Sequence, residues 1–383
     1  MESIGERVQV RFAADQIETL IRALSRLGYV IPGPTIRDGA VVYDEIEGIR
    51  DLPRGQTDEQ EAGCYRLKPR ADGALFGYTV GPQSWKKHLH PAQVKLFEAE
   101  QKDGLFRILN GPPGPTRRSA FLGVRACDLA AIGTQDRVLL GGSYRDPIYQ
   151  ARRDQVFIIA VQCTQAAATC FCASMGTGPQ VPEGGADLTL TEIVSAEEHW
   201  FLAEAGSDCG RAVLAELDHR PSTGEERQSA AAAVETAACQ QIRRMDTTGI
   251  RDLLYQNFDH PRWDQVAGRC LTCANCTMVC PTCFCTTVED MSDVTGNHAE
   301  RWRRWDSCFT MDFSYIHGGS VRTSGKARYR QWMTHKLASW IDQFGTSGCV
   351  GCGRCITWCP VGIDITEELQ AIRGGGNHGD ANA

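Results

Sequence analysis

The chain carries the stretch Cys270-Leu-Thr-Cys273-Ala-Asn-Cys276-Thr-Met-Val-Cys280-Pro281 and repeats its pattern in Cys349-Val-Gly-Cys352-Gly-Arg-Cys355-Ile-Thr-Trp-Cys359-Pro360. Both stretches read C-x2-C-x2-C-x3-C-P, which is the ligand run of a [4Fe–4S] cluster. Three cysteines at this spacing wrap one cluster from a single tight loop. The fourth cysteine points away from that loop and, in two-cluster ferredoxins, ligates the other cluster.

The two runs together predict two [4Fe–4S] clusters with crossed ligation. One cluster is expected on Cys270, Cys273, Cys276 and Cys359, and the other on Cys349, Cys352, Cys355 and Cys280. A zinc site is disfavoured, because zinc sites use two separated C-x2-C pairs without a third cysteine directly after the second. Haem attachment is excluded, because no C-x-x-C is followed by histidine.

Composition narrows the class of protein. The 383 residues are enough for two or three domains, and the net charge of −7 does not suggest a nucleic-acid partner. Eighteen cysteines occur without an apolar signal segment near Met1 and without a stretch of bilayer-spanning length. We therefore expect a cytoplasmic protein, not associated with a membrane, whose thiols ligate metal and do not form disulfides.

The N-terminal half reads as an α/β domain. Apolar residues at helical spacing predict a helix over residues 15–29, and residues 65–67 and 74–80 are expected to pair as a hairpin. Residues 119–124 and 156–161 read as buried strands joined by a helix with Asp128 as its N-cap residue. A strand, a helix and a strand of these lengths form a βαβ unit, so the two strands should be parallel.

Four further cysteines follow the carboxyl ends of these two strands: Cys127, Cys163, Cys170 and Cys172. Open α/β sheets bind their ligands at that edge, and parallel strands end there together. We therefore predict a third, non-standard [4Fe–4S] site on these four residues. The alternative is that they are small buried hydrophobic residues, as free cysteines often are. A Cys-x-Cys pair within a loop argues against that alternative.

The two cysteine runs are 69 positions apart (Cys280 to Cys349, 349 − 280 = 69), and residues 329–344 between them have helical periodicity. The expected fold class is therefore α+β. We predict an N-terminal α/β domain with a partly parallel sheet over residues 1–260, an alpha-helical dicluster ferredoxin domain over 261–373, and a disordered tail over 374–383. The insert between the runs is also basic from Arg301 to Arg330, which suggests a docking face for an acidic partner or a shield for anionic clusters.

Three cysteines near the first run remain unassigned: Cys283, Cys285 and Cys308. The triplet Cys283-Phe284-Cys285 repeats the Cys-Phe-Cys of residues 170–172. A structural role and a role in a site both stay open for these three residues, because thiol reactivity depends on a pKa that the sequence does not give.

Five stretches together resemble one known family. They are Val124-Arg125-Ala126-Cys127-Asp128-Leu129, Thr169-Cys170-Phe171-Cys172-Ala173-Ser174-Met175-Gly176-Thr177-Gly178, Cys280-Pro281-Thr282-Cys283-Phe284-Cys285, Trp305-Asp306-Ser307-Cys308-Phe309 and Gly348 to Asp364. They resemble the iron–sulfur beta subunit of cytoplasmic NAD(P)-linked [NiFe] hydrogenases (sulfhydrogenases), a family that includes the A subunit of anaerobic sulfite reductase. The resemblance covers nearly the whole chain.

The resemblance implies a subunit of a heteromeric redox complex. A flavin/NAD(P)H-binding diaphorase subunit would exchange electrons with this chain, and [NiFe] hydrogenase small and large subunits, or sulfite reductase subunits, would carry the terminal centre. The chain has no Gly-x-Gly-x-x-Gly after a strand and no paired carboxylates or Ser/His/Asp set, so a non-catalytic electron-transfer subunit is favoured. The alternative is a sulfite or polysulfide reductase subunit, or a thiol- or sulfur-reducing Fe–S enzyme that uses the extra cysteines.

Overall fold

The computed structural model describes residues 9–110 and 117–375. Its β-strands are, in chain order, β1 (Gln9–Ala13), β2 (Pro32–Arg37), β3 (Ala40–Glu45), β4 (Gln56–Glu61), β5 (Cys64–Pro69), β6 (Gln93–Lys102), β7 (Leu105–Asn110), β8 (Ser119–Val124), β9 (Val156–Val161), β10 (Leu188–Val194), β11 (His199–Ala205), β12 (Arg220–Pro221), β13 (Thr286–Ser292), β14 (His298–Trp305), β15 (Tyr315–Ile316) and β16 (Gly319–Ser320).

Its α-helices are α1 (Gln16–Arg26), α2 (Lys86–Leu89), α3 (Ala126–Leu139), α4 (Pro147–Arg153), α5 (Asp208–Leu214), α6 (Gly224–Cys239), α7 (Ile250–Gln256), α8 (Arg262–Arg269), α9 (Asn275–Met278), α10 (Gly325–Thr334), α11 (Trp340–Phe344), α12 (Arg354–Thr357) and α13 (Ile365–Gly375). A π-helical turn, His335–Ser339, joins α10 to α11. The tail expected from Gly374 overlaps the end of α13 by two residues, and residues 376–383 lie outside the described residues.

The N-terminal half is built on a six-stranded sheet with the order β12-β1-β11-β10-β9-β8. The pairs β8–β9 and β9–β10 are parallel, and the remaining three pairs are antiparallel. Strand β9 (VFIIAV) is almost wholly buried because other elements cover both of its faces. The expected partly parallel sheet and its βαβ unit β8–α3–β9 are confirmed.

Helix α3 starts earlier than the sequence suggested. It begins at Ala126 with Arg125 as the N-cap residue, so Asp128 lies inside the first turn and the prediction of Asp128 as N-cap was wrong. Asp128 is instead 1% exposed and forms an ion pair with Arg354, with 2.9 Å between Oδ1 and Nη1. Its carboxylate therefore joins two distant parts of the chain and does not cap the helix.

The hairpin expected from residues 65–67 and 74–80 is also wrong. Strand β5 pairs with β4, the strand that precedes it in the sequence, and residues 74–80 form no strand. Buried side chains form hydrogen bonds with the backbone groups of residues 74–80. The Glu192 carboxylate accepts hydrogen bonds from the amides of Leu75 and Phe76, and the Arg125 guanidinium donates to the carbonyls of Phe76 and Tyr78. A segment whose polar backbone groups are satisfied in this way does not need a neighbouring strand.

A second, four-stranded antiparallel sheet has the order β13-β14-β6-β7. Strands β6 and β7 come from the N-terminal half, whereas β13 and β14 lie in the insert between the two cysteine runs. The domain boundary expected between residues 260 and 261 is thus crossed by a shared sheet. The division into two domains stays a prediction.

The C-terminal region around the cysteine runs is helical, as expected. Helix α10, the π-turn and α11 form one continuous helical segment that covers the predicted residues 329–344. The segment packs against α7 and α8. Its buried face shares with α8 and α13 a core of aromatic and aliphatic side chains: Trp263, Tyr329, Trp332, Met333, Leu337 and Leu369. This core supports the two loops that carry the cysteine runs.

Candidate iron–sulfur centres

The first cysteine run forms a tight loop between α8 and α9. Thr272 and Ala274 both have positive φ, at 51° and 67°, which turns the chain sharply between successive cysteines. The loop lines a cavity together with the second run, and the thiols facing it are Cys270, Cys273, Cys276, Cys355 and Cys359. Burial, with a smaller contribution from Cys359, raises the pKa of Cys270. The fourth cysteine of the second run therefore lies beside the first run, as crossed ligation requires.

Backbone amides point at two sulfurs of this set. The amide of Thr272 donates to Cys270 Sγ at 3.4 Å, and the amide of Ile363 donates to Cys359 Sγ at 3.3 Å. Such bonds stabilise negative charge on the ligand sulfurs, and they are one of the features that set cluster potentials. Cys273 is the exposed member of the set, so this site lies at the protein surface.

The second run mirrors the first but lies deeper. Cys349 and Cys352 are 9% and 8% exposed, and the amide of Gly351 donates to Cys349 Sγ at 3.5 Å. Cys280 of the first run completes the group, since its charge contributes to the raised pKa of Cys352 and Cys355, for which burial is the main cause. The structure thus brings together both of the predicted four-cysteine sets.

Lys336 lies next to the second set of cysteines. Its Nζ atom donates to Cys280 Sγ at 3.3 Å, to Thr282 Oγ1 at 3.0 Å and to the Gly348 carbonyl at 3.2 Å. The side chain is 5% exposed and belongs to the π-helical turn. A buried ammonium requires nearby negative charge, and ligated thiolates supply it. The sequence analysis did not identify Lys336. The feature that could have indicated it is its position one helical turn after Trp332, on the face of the helix that carries buried residues.

We expect Lys336→Met to lower the reduction potential of the cluster on Cys349, Cys352, Cys355 and Cys280. Removing a positive charge disfavours the reduced, more negative cluster. A unit charge about 6 Å away at an effective dielectric constant near 20 shifts the potential by on the order of 100 mV. Redox titration followed by electron paramagnetic resonance measures the shift. Lys336→Arg should keep most of the potential, and Lys102→Met on the exposed β6–β7 hairpin should not change it. An unchanged potential in Lys336→Met would contradict this role.

The four cysteines of the predicted third site also converge. Cys127 lies in the first turn of α3, Cys163 follows β9, and Cys170 and Cys172 belong to the loop after it. Burial is the main cause that raises the pKa of all four thiols, and the charge of a neighbouring thiol of this set adds to it for Cys127, Cys170 and Cys172. The alternative of unrelated buried hydrophobic residues does not account for this convergence.

A buried cation beside this group favours an anionic occupant. Burial raises the pKa of Cys163, and the charge of Arg125, which is 1% exposed, partly offsets that rise. The Nε atom of Arg125 has no hydrogen-bond partner among the described residues. Gln241 Nε2 donates to Cys172 Sγ at 3.2 Å. Four thiolates around a [4Fe–4S] cluster carry net negative charge, so the donors present here suit that group. The third site stays a prediction, and the side chains around its four cysteines suit an anionic cluster.

Among the residues that the structure describes, no three cysteine sulfurs all lie within 4.8 Å of one another. A tetrahedral zinc ion with Zn–S bonds of about 2.3 Å holds its sulfurs about 3.8 Å apart. The described residues therefore include no preformed group of cysteine ligands at zinc spacing.

The second and third sets are neighbours. A Cβ atom on Gly351 would lie 2.7 Å from the Cα of Cys172, and one on Gly353 would lie 2.5 Å from the Thr169 carbonyl oxygen. Both glycines also have positive φ. Only glycine therefore allows the loop of the second run to approach the loop of the third site this closely. The Phe171 amide completes the contact by donating to the Gly351 carbonyl at 2.9 Å.

The basic insert is largely neutralised within the chain. Arg301, Arg303 and Arg304 form ion pairs with Asp290, Asp146 and Glu289, respectively. This finding weakens the suggestion that the insert presents free positive charge to an acidic partner.

Comparison with known proteins gives two matches. Residues 269–363 match the family described as 4Fe-4S dicluster domain. The Sulfhydrogenase 2 subunit beta of Pyrococcus furiosus is 31% identical over 287 residues, which cover 73% of this chain and 83% of that protein. No solved structure matches. No helix within residues 9–110 and 117–375 is both long and apolar enough to cross a membrane.

Proposed function

Because the chain belongs to the family of hydrogenase iron–sulfur beta subunits, we propose that it relays electrons between a flavin/NAD(P)H-binding diaphorase subunit and the small and large subunits of a [NiFe] hydrogenase. That the chain is an iron–sulfur electron-transfer subunit follows from the family and the dicluster domain. Bound [4Fe–4S] clusters would accept and release single electrons. The finer assignment of partners is the proposal, and the cytoplasmic location is part of it.

The observation that carries the relay is the row of three adjoining cysteine sets. The first set reaches the surface at Cys273. It adjoins the second set, because the charge of Cys276 contributes to the raised pKa of the half-buried Cys355. The second set adjoins the third through Gly351 and Cys172. A continuous row that leads from the surface into the protein supports stepwise electron transfer.

An exposed apolar hairpin supports assembly with other subunits. Strand β7 is the edge of the four-stranded sheet and exposes Leu105, Phe106 and Ile108 by 72%, 63% and 71%. Monomeric proteins cover or charge such edges to avoid unwanted pairing. A subunit that is covered in its complex does not need this protection.

Isolation of the native complex under anaerobic conditions tests the proposal. We expect the chain to co-purify with a nickel-containing large subunit and a flavin subunit, and to contain about eight to twelve iron atoms, at four per cluster. The isolated chain should turn over no substrate. A preparation that contains zinc and no iron would overturn the proposal.

A second candidate function is a subunit of a sulfite or polysulfide reductase, or a thiol- or sulfur-reducing Fe–S enzyme. It is favoured by Cys283, Cys285 and Cys308, which belong to none of the three sets but lie close to the first two. Reduction of polysulfide by the purified chain with an artificial electron donor, or co-purification with sulfite reductase subunits instead of a nickel subunit, would decide for it.

A further inference from the structure

Two cysteines outside the three sets are held side by side. Cys285 directly precedes β13, and Cys308 follows β14 by three residues. The two strands pair in an antiparallel register that places Thr286 opposite Trp305, and the amide of Asp306 donates to the Cys285 carbonyl at 2.8 Å. This register brings the two thiols next to each other, so that each thiol acts on the pKa of the other.

Hydrogen bonds of the neighbouring Ser307 hold the turn that carries Cys308 in place. Ser307 is fully buried and shares a 2.7 Å hydrogen bond with Thr277 of helix α9, in the first cysteine run. The Ser307 hydroxyl also accepts from the amide of Phe309 at 3.1 Å. The pair therefore has a fixed position relative to the first cluster site.

The two thiols differ in the direction of their pKa shifts. The hydrogen bonds from Cys308, with a smaller effect of Lys336, lower the pKa of Cys285 to about 7. The same contact raises the pKa of Cys308. Both residues are partly exposed. One thiol that ionises readily beside one that stays protonated is the arrangement of a reactive dithiol.

Both cluster sites of the dicluster region lie next to this pair. The charge of Cys276, a predicted ligand of the first cluster, acts on Cys308. Lys336, which donates to Cys280 of the second set, acts on Cys285 and Cys308 alike. Cys283 is different, because Cys280, and not a member of this pair, is the main cause of its raised pKa.

We propose that Cys285 and Cys308 form a redox-active dithiol that exchanges two electrons with the flanking [4Fe–4S] clusters. This inference rests on the proposed function, since the clusters are the electron acceptors and donors. Oxidation breaks two S–H bonds, forms one S–S bond and releases two protons to solvent. The pair gives up two electrons, one to each flanking cluster, and reduction reverses every step. The pair thus stores a two-electron equivalent beside one-electron carriers.

The test uses the cluster-loaded full chain, poised anaerobically at a series of potentials with mediator dyes. The sample is quenched in acid, alkylated and digested, and mass spectrometry follows the peptides that contain Cys285 and Cys308. We expect a linked Cys285–Cys308 peptide at oxidising potentials, with a two-electron slope of about 30 mV per tenfold change. Cys285→Ser should abolish the link without changing iron content. Cys209→Ser, at an exposed cysteine, should preserve the link.

Each other result has a defined meaning. If both cysteines stay alkylated at every potential while the clusters titrate, the dithiol proposal is wrong. If Cys285→Ser or Cys308→Ser loses iron, the two residues are metal ligands and the proposal is equally overturned. A chain without iron would overturn the proposed function, and a disulfide formed in such a chain would be a plain disulfide without cluster exchange.

Discussion

A chain in which Cys170 and Cys172 are both replaced by serine is expected to lose about four iron atoms, one [4Fe–4S] cluster, relative to the wild-type chain. Serine is a poor ligand for this cluster, and these two residues supply half of the predicted third set. The clusters on the two C-terminal runs should remain, because none of their eight predicted ligands is changed. Iron and acid-labile sulfide analysis after anaerobic purification measures the loss.

The matched control for this variant replaces Cys209 and Cys239, which are exposed and lie outside the three sets. That double variant should keep all of its iron. Circular dichroism establishes that the Cys170→Ser, Cys172→Ser chain is folded, so that iron loss reports on the site. Unchanged iron content in the folded variant would refute the third cluster.

The second large effect is expected from Arg354→Met. Arg354 lies in the second cysteine run, is fully buried, and pairs with the buried Asp128 of the βαβ unit. Its Nε atom also donates to the carbonyls of Gly81 and Gln83, at 3.0 and 3.2 Å. Methionine fills a similar volume but leaves the Asp128 carboxylate buried without its partner. Breaking a buried pair in this way costs about 3–5 kcal/mol.

Anaerobic urea unfolding of the cluster-loaded chain measures this effect as a lower midpoint. The double variant Asp128→Asn, Arg354→Met removes both charges and should be more stable than Arg354→Met alone, because the two residues are directly coupled. Arg354→Lys keeps the charge but loses the planar guanidinium geometry, so an intermediate midpoint is expected. If the single and double variants unfold at the same concentration, the ion pair does not link the two parts of the chain as we infer.

The structure changes how the two halves of the chain relate. The sequence suggested a ferredoxin-like module following a separate α/β domain. In the structure, Arg354 reaches from the second run to Asp128, and Gly351 packs against the Cys172 backbone. Strands β13 and β14 add to a hairpin of the N-terminal half. The second cluster site is therefore built at a contact between the halves, and not within one of them.

Local patterns were sufficient for much of the fold and of the candidate sites. The spacing of eight cysteines predicted both dicluster sets, because the cysteines at i, i+3 and i+6 of one loop must face one cluster. Apolar runs predicted β8, β9 and their parallel pairing, and so placed Cys127 near Cys163. The helical segment from Tyr329 to Phe344 followed from periodicity. In each case neighbours in sequence, or one βαβ unit, carry the physical constraint.

Only the tertiary structure revealed the features that depend on residues far apart in the chain. The hairpin prediction for residues 74–80 failed because Glu192 and Arg125 satisfy that backbone. The ammonium of Lys336 beside Cys280, and the contact of Cys285 with Cys308, arise from packing between separate elements. Burial and charge at a sulfur are set by everything that surrounds it, whereas a ligand run is set by one loop. The sequence alone therefore predicted which cysteines form the three sets, and the tertiary structure decided how the sets adjoin, which charges face them and that Cys285 lies beside Cys308.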